Sequence, residues 1–201
     1  MEKNQLQDDI NYIKKMIENN RRSLVDNGIM YISIGVYVVL GASISYLLGT
    51  AGKQDLLPPL WLALIIILII FNLIISRRFK KKQTRKTFAS ETFSAVWMAC
   101  GIPITIISIL YFITGGITLS TFFTSISAIL GIGYFLTGHI NELKFMKILA
   151  FGWWLAMITS ILWLYIGEEH QLALLFAGLI FILEVIPGII IYNKWKRVYN
   201  E

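Results

Sequence analysis

Six long apolar stretches divide this chain of 201 residues, and they constrain its fold more than any other feature. Each has about 18 or more residues with few charges, enough for a helix to cross roughly 30 Å of hydrocarbon. A helix also satisfies its own backbone hydrogen bonds where no water is present. The stretches cover residues 28–48, 58–76, 89–113, 117–138, 146–166 and 170–192. We therefore predict an all-α polytopic membrane protein with six transmembrane helices.

The composition agrees with this prediction. The chain is 56% hydrophobic and 15% charged, and its mean hydropathy of +0.67 is too high for an ordinary soluble domain. Residues 1–27 are densely charged, which argues against a cleavable signal peptide. We predict three regions: a cytoplasmic amphipathic helix (1–27), a six-helix transmembrane domain (28–192) and a basic cytoplasmic tail (193–201).

The distribution of positive charge predicts the orientation. Of the eighteen Lys and Arg residues, only Lys53 lies outside the N-terminal segment, the second loop, the fourth loop and the tail. These four segments fall on one side of a six-span protein, so both termini should face the cytoplasm. Anionic lipid headgroups are the expected partner, at roughly 1 kcal/mol per basic side chain. No recognition motif accompanies the charge, so nucleic acid is not expected.

Residues 3–25 have apolar positions at helical spacing, with charged residues on the opposite face. One interpretation is a helix lying on the membrane surface or packed under the bundle. The other is a homodimeric coiled coil, in which a buried Asn in the seam specifies a parallel pair. The seam residues are Leu6, Ile10, Ile13, Ile17, Asn20 and Leu24.

The loops predicted on the outer side are short, so the six helices should pair as three antiparallel hairpins. Small residues at four-residue spacing in three of the stretches predict close contact between helix backbones, since packing holds helices together in lipid. They are Gly41, Ser45 and Gly49 in the first stretch, Ala95 and Ala99 in the third, and Gly152, Ala156 and Ser160 in the fifth.

Glu184 is the most informative single residue because it lies inside the sixth stretch with no charged neighbour in sequence. A carboxylate there should be protonated, paired with a cation or facing a wet cavity. Pro187 removes the hydrogen bond to the Leu183 carbonyl and, with Gly188, predicts a helix kink beside the acid. Two interpretations follow: an ion or proton site, or a structural pair of Glu184 with a basic residue or Asn72.

Other polar residues lie in the cytoplasmic halves of the predicted spans and could converge on Glu184. His139 and Glu142 share a helix face, and imidazole and carboxylate are ordinary ligands for a divalent metal or a proton relay. The alternative for this pair is a helix cap or an ion pair with the basic second loop. The full candidate set is Asn72, Glu91, His139, Glu142 and Glu184.

Hydroxyl side chains are frequent in the outer half of the fourth stretch. Such residues line a polar path in some membrane proteins, and in others they bond their own backbone carbonyls. Both interpretations stay open for Thr118, Thr121, Thr124 and Ser125.

Catalytic signatures are absent. The chain has two His, one Cys and no Gly-x-Ser-x-Gly run, so a nucleophile with its base is not evident, and a single Cys100 cannot form an intramolecular disulfide. We expect no enzyme activity, cofactor or resident metal. The leading hypothesis is a sensor or partner-binding bundle that acts through its basic cytoplasmic face on a protein partner. The alternative is a small oligomeric transporter or channel that moves a proton or cation past Glu184.

Three short motifs resemble a group of uncharacterised bacterial small polytopic inner-membrane proteins. They are residues 9–18 (DINYIKKMIE) with the following Asn27-Gly28, the Trp153-Trp154 pair, and residues 184–188 (EVIPG). The resemblance implies the six-span fold, and it carries no activity and no site residues with it.

Overall fold

The computed structural model describes residues 28–79, 88–114, 116–140 and 142–200, and within these it leaves undescribed the side chains of Met30, Gln54, Asn72, 75–79, 88–90, Glu169 and 194–200. The predicted amphipathic helix and its seam, and most of the second loop, lie outside the described residues. Every described regular element is helical, and no strand occurs among them. The all-α class is therefore confirmed.

Seven α-helices and two short irregular segments make up the described chain. Each predicted stretch coincides with a helix, and the last one contains a π-helical segment. The elements are α1 (Ile29–Thr50), a 3-10 turn (Gln54–Leu56), α2 (Leu57–Phe79), α3 (Phe88–Thr114), α4 (Leu119–Ile140), α5 (Lys144–Ile166), α6 (Glu169–Ile180), the π segment (Phe181–Val185) and α7 (Ile186–Asn200).

Five of these helical stretches are long and apolar enough to cross a membrane, by length and composition. In α2, the fully described apolar part is the shorter Leu57–Phe71. Large apolar side chains point outward throughout: Leu62 on α2, Ile113 on α3 and Leu155 on α5 are each more than 60% exposed. Water would not tolerate an apolar surface of this extent on a monomer, whereas hydrocarbon does.

The most extensive helix contact joins α4 to α5, and the next joins α1 to α6. The helix α3 packs on α4, and α2 packs on α1. The contact between α5 and α6, which form the third predicted hairpin, is much smaller. The main contacts thus join helices of different predicted hairpins, and the three-hairpin arrangement stays a prediction.

Small residues allow several of these contacts. A Cβ at Gly41 would lie 2.8 Å from Leu64 on α2, and one at Gly152 would lie 2.5 Å from Leu183. Ser45 accepts a 3.1 Å hydrogen bond from Trp61 Nε1. The stripes of the first and fifth stretches therefore lie at helix contacts within the chain. Ala95 and Ala99, the stripe of the third stretch, are exposed.

The core lies between α4, α5 and α6. Tyr134, Trp153 and Leu172 are fully buried, and the rings of Phe123 and Phe176 stack with centroids 3.9 Å apart. This core continues into the π segment through Leu183. The fold therefore places Glu184, the residue after Leu183, directly beside this core.

Candidate functional site: a buried tyrosine–carboxyl pair

The π segment is the local feature that positions Glu184. Ile186 N–H donates to the carbonyl of Phe181, five residues earlier, instead of the usual four. Pro187 follows directly and has no N–H to continue the α-helical pattern. An extra residue is thereby accommodated in the turn, a distortion that is frequent at functional sites. The structure thus has a π-helical turn just before Pro187 and Gly188, and the kink predicted at these two residues stays a prediction.

Glu184 pairs with Tyr134, which lies on α4. Tyr134 Oη donates a hydrogen bond of 2.7 Å to Glu184 Oε2. The tyrosine is fully buried, and Glu184 is 8% exposed. Among the described side chains, no Lys, Arg or His forms an ion pair with this carboxyl group. The Tyr134 hydroxyl is therefore the described partner of Glu184, and the pairing with a basic residue or Asn72 stays a prediction, since the side chain of Asn72 and those of most basic residues lie outside the described residues.

Aromatic side chains from three other helices surround the tyrosine. The ring of Trp97 (α3) meets that of Tyr134 edge-on at 5.2 Å, and Trp153 (α5) stacks at 6.5 Å. Tyr31 (α1) lies at 6.2 Å on a tilted plane. These edge-on and offset arrangements are the favourable ones for aromatic pairs. The pair is thus enclosed by an aromatic cage of Tyr31, Trp97 and Trp153.

Two glycines bring α1 against the helix that carries Glu184. A Cβ at Gly35 would lie 2.7 Å from Val185 Cγ2 and 3.1 Å from Glu184 Cβ. A Cβ at Gly188 would lie 3.0 Å from the backbone nitrogen of Ile32. At such distances a side chain would force its neighbours to shift, so glycine favours the close approach at both positions. The backbone of α1 therefore lies against the turn that carries Glu184.

Several buried hydrogen-bonding groups on α3, α4 and α5 have no hydrogen-bond partner among the described residues. They are the indole N–H groups of Trp97 and Trp153, and the hydroxyls of Thr124 and Ser127. Ser127 lies two turns before Tyr134 on the same face of α4. Buried polar groups are nearly always bonded to protein or water. These indole and hydroxyl groups are thus unbonded among the described residues, and burying an unbonded polar group costs free energy.

Three of the other predicted site residues do not join this pair. Glu91, His139 and Glu142 are exposed. His139 stacks on Phe135 of its own helix, and Glu142 adopts a left-handed φ of 54° in the turn before α5. The side chain of Asn72 lies outside the described residues. In the described parts of the chain, no three His, Cys, Asp or Glu side chains are grouped closely enough to hold a metal ion.

The hydroxyl residues of α4 separate into two faces. Thr118 and Thr121 bond each other at 2.9 Å on the exposed side, and Ser125 donates to the carbonyl of Thr121. The inward face carries Ser120 and Thr124 instead, and Ser120 donates to the carbonyl of Ser160. Local backbone bonding therefore accounts for part of the predicted set, and Thr124 is its one member with a buried, unpartnered hydroxyl.

Sequence reasoning missed Tyr134 and Trp97. The available signal was a tyrosine inside an apolar span, because a phenolic hydroxyl far from water requires a hydrogen-bond partner. Comparison with protein-family models, with curated proteins and with solved structures found no match to this chain. The functional argument therefore rests on the buried pair and the elements that hold it.

Proposed function

We propose that this protein is a non-enzymatic, multi-pass regulatory protein of the bacterial inner membrane, in which the Tyr134–Glu184 contact reports a state of the bundle to its basic cytoplasmic end. One observation carries the proposal: a buried carboxyl group on a π-helical segment is held by a single hydroxyl from another helix. This contact is a single hydrogen bond that can break, and the helix α7, which leads out of the core, begins directly after the π segment.

Six spans and cytoplasmic termini are part of this proposal. The helix α2 has 23 residues, which corresponds to about 35 Å at 1.5 Å per residue and is long enough to cross the hydrocarbon. With α2 as a span, the four basic segments share one side, in keeping with the positive-inside rule. The three hairpins then follow from the short loops predicted on the outer side.

The route from the pair to the cytoplasm is the helix α7. It begins at Ile186, one residue after the π segment, and continues without a break to Asn200. Its last two turns carry Lys194, Lys196 and Arg197. A π-helical turn can revert to α-helical bonding by a shift of one residue, which rotates everything after it by about 100°. Loss of the Tyr134 contact would therefore reorient the basic end towards a lipid surface, a protein partner or a second copy.

The enclosure of Glu184 favours this role over ion transport. A carboxyl group on an ion path must be reached by water, whereas Glu184 is 8% exposed and its described neighbours are Tyr134 and the α1 backbone at Gly35. Transport past Glu184 remains the competing function, and it predicts an ion flux across the membrane of a sealed vesicle that depends on Glu184.

Reconstitution in liposomes separates the two functions. We would measure proton, monovalent and divalent cation flux for the wild type and for Glu184→Gln in the same lipid, with Glu142→Gln as a control at an exposed carboxylate. The expected result is no flux that depends on Glu184. Flux in the wild type and in Glu142→Gln that is lost in Glu184→Gln would overturn the proposal in favour of a transporter or channel.

A distance measurement tests the regulatory function directly. Spin labels at Lys144→Cys and Asn193→Cys, in a Cys100→Ser background, report how α7 lies relative to α5; both positions are exposed. We expect the distance distribution to change when Tyr134→Phe is added and to stay unchanged when Tyr165→Phe is added. An identical distribution in all three proteins would contradict coupling between the pair and the basic end.

A further inference from the structure

A histidine lies where α6 begins, at the contact between α6 and the end of α1. His170 is in the first turn of α6, and its Nε2 atom is 3.2 Å from Oε2 of Glu168, the residue that precedes this helix. The imidazole side chain is 32% exposed and the carboxylate side chain is 69% exposed. Protons from the surrounding water can therefore reach this pair, unlike the buried pair of Tyr134 and Glu184.

The helix α1 lies against the other side of the imidazole. The rings of Tyr46 and His170 have centroids 5.8 Å apart and planes inclined by 31°. A Cβ at Gly49 would lie 3.1 Å from His170 Cβ, so α1 approaches closely here. A cation within about 6 Å of an aromatic ring is attracted to its face, whereas a neutral imidazole lacks this attraction. The strength of this contact between two helices thus depends on the charge of one imidazole.

The backbone of Glu168 is fixed by two hydrogen bonds to its carbonyl oxygen. Trp163 Nε1, on α5, donates one of 3.1 Å, and the backbone N–H of Gln171 donates another of 3.1 Å. An exposed ion pair is weakened when long side chains must be ordered to form it. Here the carboxylate starts from an ordered backbone two residues from its partner, which reduces this entropic cost.

The other charges at this end of the bundle do not cancel the pair. The N-terminus of α6 disfavours a cation on His170, while Glu168 and the Tyr46 ring both favour it. The turn after α1 carries Lys53 and Asp55, which are exposed and of opposite sign. From α5 the facing side chain is an indole, which does not titrate. The side chain of Glu169 lies outside the described residues, and the experiment below treats it separately.

We propose that His170, Glu168 and Tyr46 form a proton-responsive contact between α1 and α6. Protonation of His170 adds a charge-assisted bond to Glu168 and a cation–π contact to Tyr46, which hold the start of α6 against the end of α1. Loss of the proton removes both attractions and loosens this end of the bundle. Histidine suits this role because its charge ordinarily changes between about pH 5 and 8, where an exposed carboxylate stays ionised.

The same helix α1 also reaches the buried pair. Gly49 faces His170, and Gly35 faces Glu184. These two positions on α1 are as far apart in sequence as His170 and Glu184 are, about 21 Å at 1.5 Å per residue. A shift of α1 at one contact is therefore carried along a continuous helix to the other. This consequence, and the assignment of the contact to the outer side of the membrane, rest on the proposed function; the proton-responsive contact does not.

A distance measurement at two pH values tests the contact. Spin labels at Thr50→Cys on α1 and Gln171→Cys on α6, both exposed positions, are introduced into the full chain in a Cys100→Ser background. Distances are compared at about pH 5.5 and about pH 8. We expect the ratio of near to far populations to be about threefold higher at the lower pH, the size of effect expected of one exposed ion pair. Identical distributions at the two pH values would overturn the proposal.

Single substitutions assign the response to its residues. His170→Gln and Glu168→Gln should each abolish the pH dependence, and Tyr46→Leu should reduce it. The matched control is His139→Gln, since His139 is exposed and stacks on Phe135 of its own helix; it should leave the response unchanged. A response that persists in His170→Gln, or that disappears in His139→Gln, would show that another group titrates.

Two further comparisons test the ion pair itself. Glu169→Gln should retain the response; if it abolishes the response while Glu168→Gln does not, the assigned partner of His170 is wrong. Raising the salt concentration to about 1 M should weaken the response, because exposed charges are screened. The distance between labels at positions 144 and 193 is a separate measurement. A pH response at positions 50 and 171 with no effect of Tyr134→Phe on that distance would leave the contact established and refute the proposed switch.

Discussion

Tyr134 Oη donates a 2.7 Å hydrogen bond to Glu184 Oε2, and this contact joins residues 50 positions apart on α4 and on the π segment. Both side chains are buried, so the hydroxyl satisfies a carboxyl group that has no described ion-pair partner. Removing either member leaves the other with an unmet hydrogen bond in an apolar interior, which is more costly than the bond itself is favourable. The predictions below follow from this asymmetry and from the packing around it.

Tyr134→Phe should destabilise the folded protein by about 1–3 kcal/mol, because Glu184 loses its described hydrogen-bond donor while the ring stays in place. Unfolding in a detergent or urea titration, followed by circular dichroism, measures the change. Tyr165→Phe is the matched control, since Tyr165 is 82% exposed. Equal stability of the two variants would show that the hydroxyl of Tyr134 contributes nothing.

A double-mutant cycle should show that Tyr134 and Glu184 are coupled. Glu184→Leu alone leaves the tyrosine hydroxyl unpartnered, whereas Tyr134→Phe with Glu184→Leu replaces both polar groups by apolar ones. We expect the double variant to be more stable than the sum of the single changes implies, by about 1–3 kcal/mol. Additive effects in the same unfolding assay would contradict a direct interaction.

Gly35→Ala should destabilise the bundle by about 1–3 kcal/mol, since its Cβ would lie 2.7 Å from Val185 Cγ2 and force α1 away from the π segment. Gly101→Ala and Gly178→Ala are controls on α3 and α6, where a Cβ meets nothing within 4 Å. These controls should be neutral or stabilising by up to about 1 kcal/mol, because alanine favours the helix. Thermal unfolding of the three variants measures these changes in stability. Similar losses of stability in all three would contradict the argument that α1 approaches the π segment too closely at Gly35 to admit a side chain.

Pro187→Ala should allow the π segment to become α-helical, because the restored N–H can bond the carbonyl of Leu183. The resulting rotation would carry Glu184 away from Tyr134. In this background, Tyr134→Phe should therefore cost much less than it does in the wild type. An undiminished cost would show that packing, and not the proline, maintains the π-helical turn.

Cys100 should be inert towards a membrane-permeant maleimide in the folded protein. Its side chain is 5% exposed, its thiol faces the carbonyl of Ile129 at 3.7 Å, and Gly133 packs beside it. Labelling followed by mass spectrometry should show modification only after denaturation. Rapid labelling of the folded protein would mean that α3 separates from α4 readily.

The position of the helices could be predicted from sequence because length and apolarity alone decide which segments lie in hydrocarbon as helices. All six predicted stretches are helical, and five meet the criteria for a span. Their pairing could not be predicted. In lipid the outward faces are as apolar as the inward ones, so the pattern along α1 or α4 does not indicate which neighbour each face meets. The large contacts of α4 with α5 and of α1 with α6 emerge only in three dimensions.

The candidate site divides in the same way. The isolation of Glu184 in an apolar stretch and the proline three residues later are properties of the sequence alone, and they drew attention to this acid before its π segment and its burial were known. The partner of Glu184 depends on which helix lies opposite it. Residue spacing could not rank the four other polar candidates in the predicted spans. The tertiary structure places Tyr134 against Glu184 and leaves Glu91, His139 and Glu142 exposed. It also surrounds the pair with aromatic rings from three other helices. Sequence could not predict this, because long-range packing and not local periodicity determines which side chains meet.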